Sequence, residues 1–160
     1  MSEALAMETM SAEETKRIGA RLGQALQPGD VLALCGPLGS GKTVLVQGLA
    51  RGLGTNPGVL VTSPSFVILH EYPGRLPLYH FDFYRLGKER EVHELGFEEY
   101  FDGDGVCAVE WADKFPGLFG ARTLWLEFQR SDESQRRIGF RPGEDLRGLR
   151  WPKMAKAIQG

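Results

Sequence analysis

The sequence predicts a three-layer α/β fold whose sheet is mainly parallel and carries an antiparallel portion. Residues 31–35 form a continuous apolar run, which is typical of a strand buried on both faces of a parallel sheet. A glycine-rich loop follows, and residues 44–53 then repeat apolar side chains at helical spacing. Farther on, two apolar runs separated by the Pro-Gly-Arg turn of residues 73–75 predict an antiparallel hairpin.

The first helix is predicted by its capping signals. Ser11 and Glu14 have the spacing of a capping box, with Ser11 as the N-cap. Apolar residues then recur on one helical face: Ile18, Leu22 and Leu26. Residues 27–30 form a turn into the strand at 31–35, and Gly54 stands where the second helix would end in a left-handed residue.

Downstream of residue 54 the sequence predicts short strands and one more helix. A turn at residues 55–58 precedes the first of these strands. The strands are expected at residues 59–61, 67–72, 76–82, 106–109, 123–128 and 137–140. Residues 89–101 are expected to be helical, and the last dozen residues to form a short helix or to be disordered.

The length and composition suit a single cytoplasmic domain. We predict one domain over residues 1–160, with a core at about 10–140 and a basic C-terminal extension at 141–160. Apolar residues make up 42% of the chain, and no apolar stretch approaches the ~18 residues of a membrane span. The first residues lack the pattern of a secretory signal. Cys35 and Cys107 lie inside apolar runs and are expected to be buried, reduced thiols.

Charge is distributed unevenly along the chain. The net charge of −2 does not have the basic character of most nucleic-acid-binding domains. Residues 1–120 carry 10 Lys and Arg against 16 Asp and Glu, whereas residues 121–160 carry 9 against 5. The basic end fits a contact with RNA or with an acidic protein, and equally a solvated tail.

Residues 36–43, Gly-Pro-Leu-Gly-Ser-Gly-Lys-Thr, match the phosphate-binding loop pattern Gly-x-x-x-x-Gly-Lys-Thr at every specified position. Glycines let backbone N–H groups approach phosphate oxygens, and the following helix N-terminus faces the anion. Lys42 is expected to reach the β- and γ-phosphates and the Thr43 hydroxyl to bind Mg²⁺. A glycine-rich turn without a ligand is the simpler alternative. The motif therefore predicts a P-loop NTPase domain that binds nucleotide through Gly36, Leu38, Gly39, Ser40, Gly41, Lys42 and Thr43.

Two acidic residues follow strand-like runs and are candidates for completing the site. Asp82 follows residues 78–81, and Glu110 follows residues 106–109. The carboxyl ends of parallel strands border the ligand crevice in open α/β sheets. Either carboxylate can hold Mg²⁺ through water, and either can orient a nucleophilic water. The structural alternatives are a helix N-cap at Asp82 and an ordinary strand-end carboxylate at Glu110.

A hydroxyl-rich segment is a candidate for sensing the nucleotide. Thr62, Ser63 and Ser65 flank Pro64, which stiffens the chain. Such a loop can respond to the γ-phosphate or its Mg²⁺ in the manner of a switch. A plain surface turn is the alternative.

Three further features restrict the chemistry of the site. His80 and Asp82 share one face of a strand, but without a third ligand at matching spacing a transition-metal site is not expected. Trp111 is expected in the core or on a packing surface and not as a base-stacking platform. Asn56 is the only asparagine and precedes Pro57, so the guanine-specifying Asn-Lys-x-Asp pattern is absent. ATP is therefore favoured over GTP.

Four segments, taken together, carry a family resemblance. They are residues 36–43, 63–66 (Ser-Pro-Ser-Phe), 79–86 (Tyr-His-Phe-Asp-Phe-Tyr-Arg-Leu) and 109–111 (Val-Glu-Trp). The first occurs in many NTPases, but His-x-Asp-x-Tyr-Arg-Leu followed downstream by Glu-Trp is far more specific. In this order the segments resemble the bacterial TsaE family (formerly YjeE), the small P-loop ATPases of tRNA threonylcarbamoyladenosine biosynthesis. The resemblance covers roughly residues 10–140.

The resemblance implies an enzyme that binds and hydrolyses ATP with Mg²⁺, and that is weak when isolated. The catalytic residues it implies are Lys42, Asp82 and Glu110, with Thr43, Glu110 and Asp82 at the metal. It also implies a switch-like loop at Ser63 and Ser65, and an adenine position beside Ser11 and Ala12. Two departures are visible: Pro37 replaces the usual Asp and removes one N–H donor, and Ser65 replaces the usual Thr but keeps the hydroxyl.

The resemblance also implies that the protein works with TsaD and TsaB. TsaD would transfer the threonylcarbamoyl group to the tRNA adenosine beside the anticodon, and the ATPase would reset that machine between rounds. The tRNA would be contacted indirectly, through the complex, and no membrane would be involved. The acidic balance of residues 1–120 agrees with this division of labour.

Two other functions remain open on the sequence. A P-loop kinase for a small metabolite would use the same loop, with Arg130, Arg136 and Arg137 as candidate lid arginines. The short chain leaves little room for an acceptor domain, however. A nucleotide-sensing module would bind with the same loop and signal without turnover.

Overall fold

The computed structural model describes residues 3–160, which form seven strands and five helices. The strands are Leu5–Thr9 (β1), Val31–Cys35 (β2), Leu69–Tyr72 (β3), Leu78–Asp82 (β4), Val106–Glu110 (β5), Thr123–Arg130 (β6) and Arg136–Pro142 (β7). The helices are Ala12–Ala25 (α1), Lys42–Gly52 (α2), Glu89–Glu94 (α3), Phe97–Phe101 (α4) and Arg150–Gln159 (α5). Within residues 3–160, none of these helices combines the length and the apolar character that crossing a membrane requires.

The seven strands form one mixed sheet in the order β1-β7-β6-β2-β5-β4-β3. The middle strands β6, β2, β5 and β4 are parallel to one another, and the pairs at the two edges are antiparallel. The predicted α/β class is confirmed, and so is the hairpin, which is β3 and β4. In the β4–β5 register Asp82 lies directly opposite Glu110. Both carboxylates therefore lie at the carboxyl-terminal edge of the sheet, where Glu110 is level with Leu34 of β2.

Helices cover both faces of the sheet, as predicted. Leu32 and Leu34 of β2 are fully buried in one hydrophobic cluster with residues of α1, α2 and α5. Val31, Ala33 and Cys35 belong to a second cluster with residues of α3 and α4. Successive side chains of a strand point to opposite faces, so the continuous apolar run of β2 supplies both cores.

Four glycines bring α1 and α2 into backbone contact. Gly19 and Gly23 of α1 face Gly48 and Gly52 of α2. A Cβ placed at Gly48 would lie 2.2 Å from the Lys16 carbonyl oxygen, and one placed at Gly52 would meet α1 in the same way. Backbone atoms cannot move aside as a flexible side chain can. This contact therefore sets the position of α2, the helix that follows the phosphate-binding loop.

The N-terminus of α1 follows the predicted cap with one variation. The Ser11 hydroxyl accepts the Glu14 N–H at 3.1 Å, which confirms Ser11 as the N-cap. The Glu14 carboxylate accepts the N–H of Met10 at 2.7 Å, one residue before the N-cap. Both contacts satisfy donors near the helix start, where helical partners are lacking.

Several predicted elements differ from the structure. Residues 59–61 are not a strand, since Val59 N–H closes a turn onto Asn56 and the Leu60 side chain is 79% exposed. The predicted helix at 89–101 is two helices, because Gly96 takes a left-handed φ of 71° between them. β3 begins at Leu69 and not at residue 67, after Ile68 at a φ of 74°. β1 had no prediction, because its pattern is only half buried.

The C-terminal residues, for which helix and disorder were both expected, are helical in α5. Met154 and Ile158 of α5 are buried against the core. At the start of α5, Arg150 donates to both carboxylate oxygens of Asp30 at 2.7 Å. Asp30 is only 2% exposed, and Arg122 lies 3.3 Å from the same carboxylate. Part of the basic charge at this end of the chain therefore compensates a buried carboxylate.

Both cysteine thiols are buried and form no disulfide, and we expect them to be unreactive toward thiol reagents in the native protein. Burial raises the pKa of Cys35 to about 12, assisted by the nearby Asp113 and Glu127, and burial also raises the pKa of Cys107. At pH 8 only about 10⁻⁴ of Cys35 would be the reactive thiolate. We expect native protein to react with Ellman's reagent roughly 10³-fold more slowly than denatured protein, which should show two thiols. Rapid titration of either thiol in the native state would contradict the buried placement.

Candidate nucleotide site

A cavity of about 530 Å³ lies at the carboxyl-terminal edge of β2, β4 and β5. Most of the residues predicted for the site line it: Ser11, Ala12, Leu38, Gly39, Ser40, Gly41, Lys42, Thr43, Ser63, Ser65, Asp82 and Glu110. Gly36 and Thr62 are not among the lining residues. These residues are separated by up to 99 positions in the chain. They come from the start of α1, the loop after β2 with the start of α2, the segment before β3, and the ends of β4 and β5.

The loop between β2 and α2 has the backbone of an anion cradle. Gly36, Gly39 and Gly41 have φ values of 144°, 75° and 105°, which residues with a Cβ rarely adopt. Gly41 is the N-cap of α2, so the first N–H groups of this helix adjoin the cavity. The Ser40 hydroxyl is buried and lacks a hydrogen-bond partner among the described residues. Such a loop offers unsatisfied donors to an anion.

Lys42 is folded back onto this loop. Its ammonium donates to the carbonyl of Gly36 and, at 3.1 Å, to that of Pro37. It also lies 4.0 Å from the centroid of the Trp111 ring. Burial lowers the pKa of Lys42, while the neighbouring Glu110, Asp113 and Asp82 oppose that shift. An ammonium this poorly hydrated gains more from a bound anion than an exposed lysine would.

Glu110 is held by two donors from different parts of the fold. The Thr43 hydroxyl donates to its carboxylate oxygens, at 3.0 Å to Oε1 and 2.8 Å to Oε2. The imidazole Nε2 of His80 lies 2.6 Å from Oε2. Glu110 is 4% exposed. The Thr43 contact links the loop to the end of β5. Thr43 and Glu110 are therefore close enough to bind one cation together.

Asp82 is connected to the hydroxyl-rich segment. Its Oδ2 accepts the Ser63 hydroxyl at 2.6 Å, and Ser63 Oγ lies 3.2 Å from Ser65 Oγ. Its Oδ1 accepts the N–H of Tyr84 at 2.8 Å. The structural alternative for Asp82 was the N-cap of a helix. Asp82 does accept a backbone N–H in this way, but it caps a turn, because no helix forms at residues 83–85. One carboxylate oxygen stabilises the turn, and the other ties the candidate switch-like loop to the site.

Six lining residues had no prediction as site residues: Thr15, Val44, Tyr84, Trp111, Glu133 and Ser134. Trp111 was expected in the core or on a packing surface, and it packs between the Lys42 ammonium and the Tyr84 ring. Its φ of 60° turns the chain at the end of β5. Only its position next to Glu110 in the sequence could have indicated that Trp111 lines the cavity.

The three arginines considered for a kinase lid have different surroundings. Arg136 lines the cavity, and its guanidinium lies 3.4 Å from the Gly39 carbonyl. Arg130 donates to carbonyls of the 131–135 turn. Arg137 forms an ion pair with Glu3 at 2.8 Å. Arg136 and Arg130 therefore both lie beside Gly39 of the phosphate-binding loop, since a Cβ built at Gly39 would stand 3.8 Å from the Arg130 guanidinium.

The donor set suits a small, hard cation. Carboxylates of Glu110 and Asp82 and hydroxyls of Thr43, Ser63 and Ser65 line the cavity, and all are oxygen donors. Across residues 3–160 no three His, Cys, Asp or Glu side chains gather as a metal site. His80 contacts Glu110 and not a partner at Asp82. Oxygen donors that are too few to enclose an ion fit Mg²⁺, which usually retains waters and phosphate oxygens as ligands.

Comparisons with known proteins show the family and the fold of this chain. The family model “Threonylcarbamoyl adenosine biosynthesis protein TsaE” matches residues 9–138. The “tRNA threonylcarbamoyladenosine biosynthesis protein TsaE” of Bacillus subtilis (strain 168) is 44% identical over 137 residues, which is 85% of this chain and 84% of the relative. The Nostoc protein of the same name is 46% identical over 110 residues, 65% of each chain. The crystal structure of Bacillus subtilis YdiB matches with a TM-score of 0.80 at 36% identity, covering 99% of this chain and 96% of that one.

Proposed function

This chain belongs to the family of threonylcarbamoyl adenosine biosynthesis proteins TsaE, and from that premise we propose that it is an Mg²⁺-dependent ATPase. In this role it supports threonylcarbamoyladenosine modification of tRNA together with TsaD and TsaB. The observation that carries the proposal is the meeting of Lys42, Thr43, Asp82 and Glu110 around one cavity. A phosphate-binding lysine, a metal-binding hydroxyl and two carboxylates are the groups that phosphoryl transfer to water requires.

ATP binding would depend on the loop and on the end of α1. The donors of residues 36–43 and the N-terminus of α2 would hold the phosphates, with Lys42 at the β- and γ-phosphates. Lys42 would then exchange its contacts with the loop carbonyls for contacts with phosphate oxygens. The adenine would lie beside Ser11 and Ala12, which line the same cavity.

The oxygen donors would have two roles, which are binding Mg²⁺ and orienting the attacking water. Thr43 and Glu110 are already hydrogen-bonded to each other and would serve Mg²⁺ as a pair. Mg²⁺, when bound, neutralises charge that develops on the phosphate oxygens. Asp82, held by Ser63, would assist at the metal or orient the attacking water. The Ser63–Ser65 segment would respond to the γ-phosphate through that same contact.

The proposed partners and cellular location are supported by the family resemblance. TsaD and TsaB would hold most of the tRNA, since residues 1–120, which include the whole candidate site apart from residues 133–136, have an acidic balance. The modification of tRNA would take place in the cytoplasm. The chain would act as one domain over residues 1–160, with the basic end at 141–160 attached through α5 to α1.

The test is repeated-turnover threonylcarbamoylation of tRNA by purified TsaD and TsaB with ATP and Mg²⁺. We expect the wild-type chain to sustain turnover and Glu110→Gln, which keeps the shape but removes the charge, to reduce it about 10²-fold or more. ATP hydrolysis by this chain should fall in parallel. If the wild-type chain has no effect, the assigned role is wrong and a screen for phosphoryl acceptors follows. If Glu110→Gln sustains modification without hydrolysing ATP, the protein is a nucleotide sensor.

A further inference from the structure

His80 has a position that neither folding nor nucleotide binding requires of a histidine. It is fully buried in β4, on the sheet face that also carries Asp82 and, on the neighbouring strand, Glu110. Its Nε2 lies 2.6 Å from Glu110 Oε2, whereas its Nδ1 is buried without a partner among the described residues. Burying a polar atom without a hydrogen bond costs about 1–3 kcal/mol. A leucine would fill the same space without this free-energy cost. The contact with Glu110 is therefore what a histidine provides here and a leucine would not.

Glu110 needs a fixed orientation that its own chain does not supply. Its side chain has three rotatable bonds, and it leaves the end of β5 toward the cavity. The Thr43 hydroxyl also contacts it, but Thr43 belongs to the loop and helix start that must adjust around phosphates. His80, in contrast, is anchored by backbone pairing to β3 on one side and β5 on the other. We therefore expect the His80 contact to stay in place when nucleotide binds.

We propose that His80 is a positioning residue, which holds Oε2 of Glu110 so that the rest of that carboxylate is presented to Mg²⁺. The inference rests on the proposed ATPase function and deepens it. His80 would touch neither nucleotide nor metal. Hydrogen-bonded partners of metal-binding carboxylates raise metal affinity by orienting the ligand, and their removal typically costs 10- to 100-fold.

The test compares His80→Leu, His80→Gln and His80→Asn. Leucine removes the hydrogen bond, and glutamine can place an amide nitrogen near the position of Nε2. Asparagine is equally polar but too short to reach Glu110, so it controls for burying an amide. The primary readout is ATP affinity measured by calorimetry, once with Mg²⁺ and once with EDTA. The second readout is the Mg²⁺ concentration that gives half-maximal hydrolysis.

We expect His80→Leu and His80→Asn to raise the half-maximal Mg²⁺ concentration about 10- to 100-fold, with ATP affinity in EDTA unchanged. His80→Gln should recover most of the loss. Wild-type Mg²⁺ dependence in whichever of the Leu and Asn variants folds would overturn the inference, as would a glutamine variant no better than asparagine. A wild-type chain that binds no ATP would instead overturn the proposed function itself.

Discussion

Lys42→Ala is expected to abolish measurable ATP turnover, with a loss of about 10²- to 10³-fold in kcat and weakened nucleotide binding. Lys42 is 5% exposed, and its ammonium contacts only carbonyl oxygens and the Trp111 ring within the described site. Neither contact neutralises its charge, and burial lowers its pKa. The nearby carboxylates of Glu110, Asp113 and Asp82 offset only part of the effect of burial, and a polyphosphate supplies further counter-charge at short range, where the low local dielectric strengthens the attraction. Alanine removes that attraction altogether.

The measurement is ATP hydrolysis and calorimetric ATP binding with a preparation purified alongside the wild type. Lys153→Ala is the matched control, because Lys153 is an exposed lysine of α5 and does not line the cavity. It should behave as the wild type. Wild-type turnover by Lys42→Ala in a preparation free of contaminating ATPases would show that the phosphate site is elsewhere.

Gly48→Ala is expected to lower the free energy of unfolding by about 2 kcal/mol. The added Cβ would lie 2.2 Å from the Lys16 carbonyl oxygen, so α1 and α2 must move apart. Overpacking of this kind costs up to about 3 kcal/mol, and here the obstacle is backbone and cannot rotate away. Alanine favours helix over glycine by only about 1 kcal/mol, which offsets part of the cost. The strain therefore exceeds the gain in helix propensity.

Urea denaturation gives the free energy, and a thermal melt should show a midpoint about 4–8 °C lower. Because α2 carries Lys42 and Thr43, ATP affinity should fall with the displacement of this helix. Gly148→Ala is the control, since a Cβ at Gly148 meets nothing within 4 Å. It should change stability by no more than about 0.5 kcal/mol. A Gly48→Ala protein as stable as wild type would mean that the two helices are not in backbone contact.

The elements with local signals were predictable. The Ser11 cap needs only residues three positions apart, and β2 needs only an unbroken apolar run between a turn and a glycine loop. The predicted strand at 59–61 was wrong because Val59 closes a turn, Leu60 is exposed, and Val61 packs into the hydrophobic core without pairing to another strand. There the Val61 carbonyl is taken by the Gln47 side chain and not by a strand. β-propensity describes fit to a sheet, and no neighbouring strand is present to fit.

The prediction of one helix over residues 89–101 was also wrong because tertiary packing decides the outcome there. The predicted helix runs through Gly96, but the chain takes a left-handed conformation there, so one helix ends at Glu94 and a second begins at Phe97. A glycine inside a helical pattern costs about 1 kcal/mol, so packing around it decides whether the helix continues. The glycine is visible in the sequence, but the packing around it is not, so the break at Gly96 could not be predicted.

The sequence by itself determined the chemical groups of the candidate site, because the phosphate-binding loop is contiguous and its residues act through backbone geometry that glycines permit. It also indicated that Asp82 and Glu110 each follow a strand. Only the tertiary structure decided how these groups are connected. The β4–β5 register puts His80 against Glu110, and the fold of the 63–68 segment puts Ser63 against Asp82. Hydrogen bonds between residues 19 to 67 positions apart depend on strand pairing and helix packing, which no local pattern in the chain encodes.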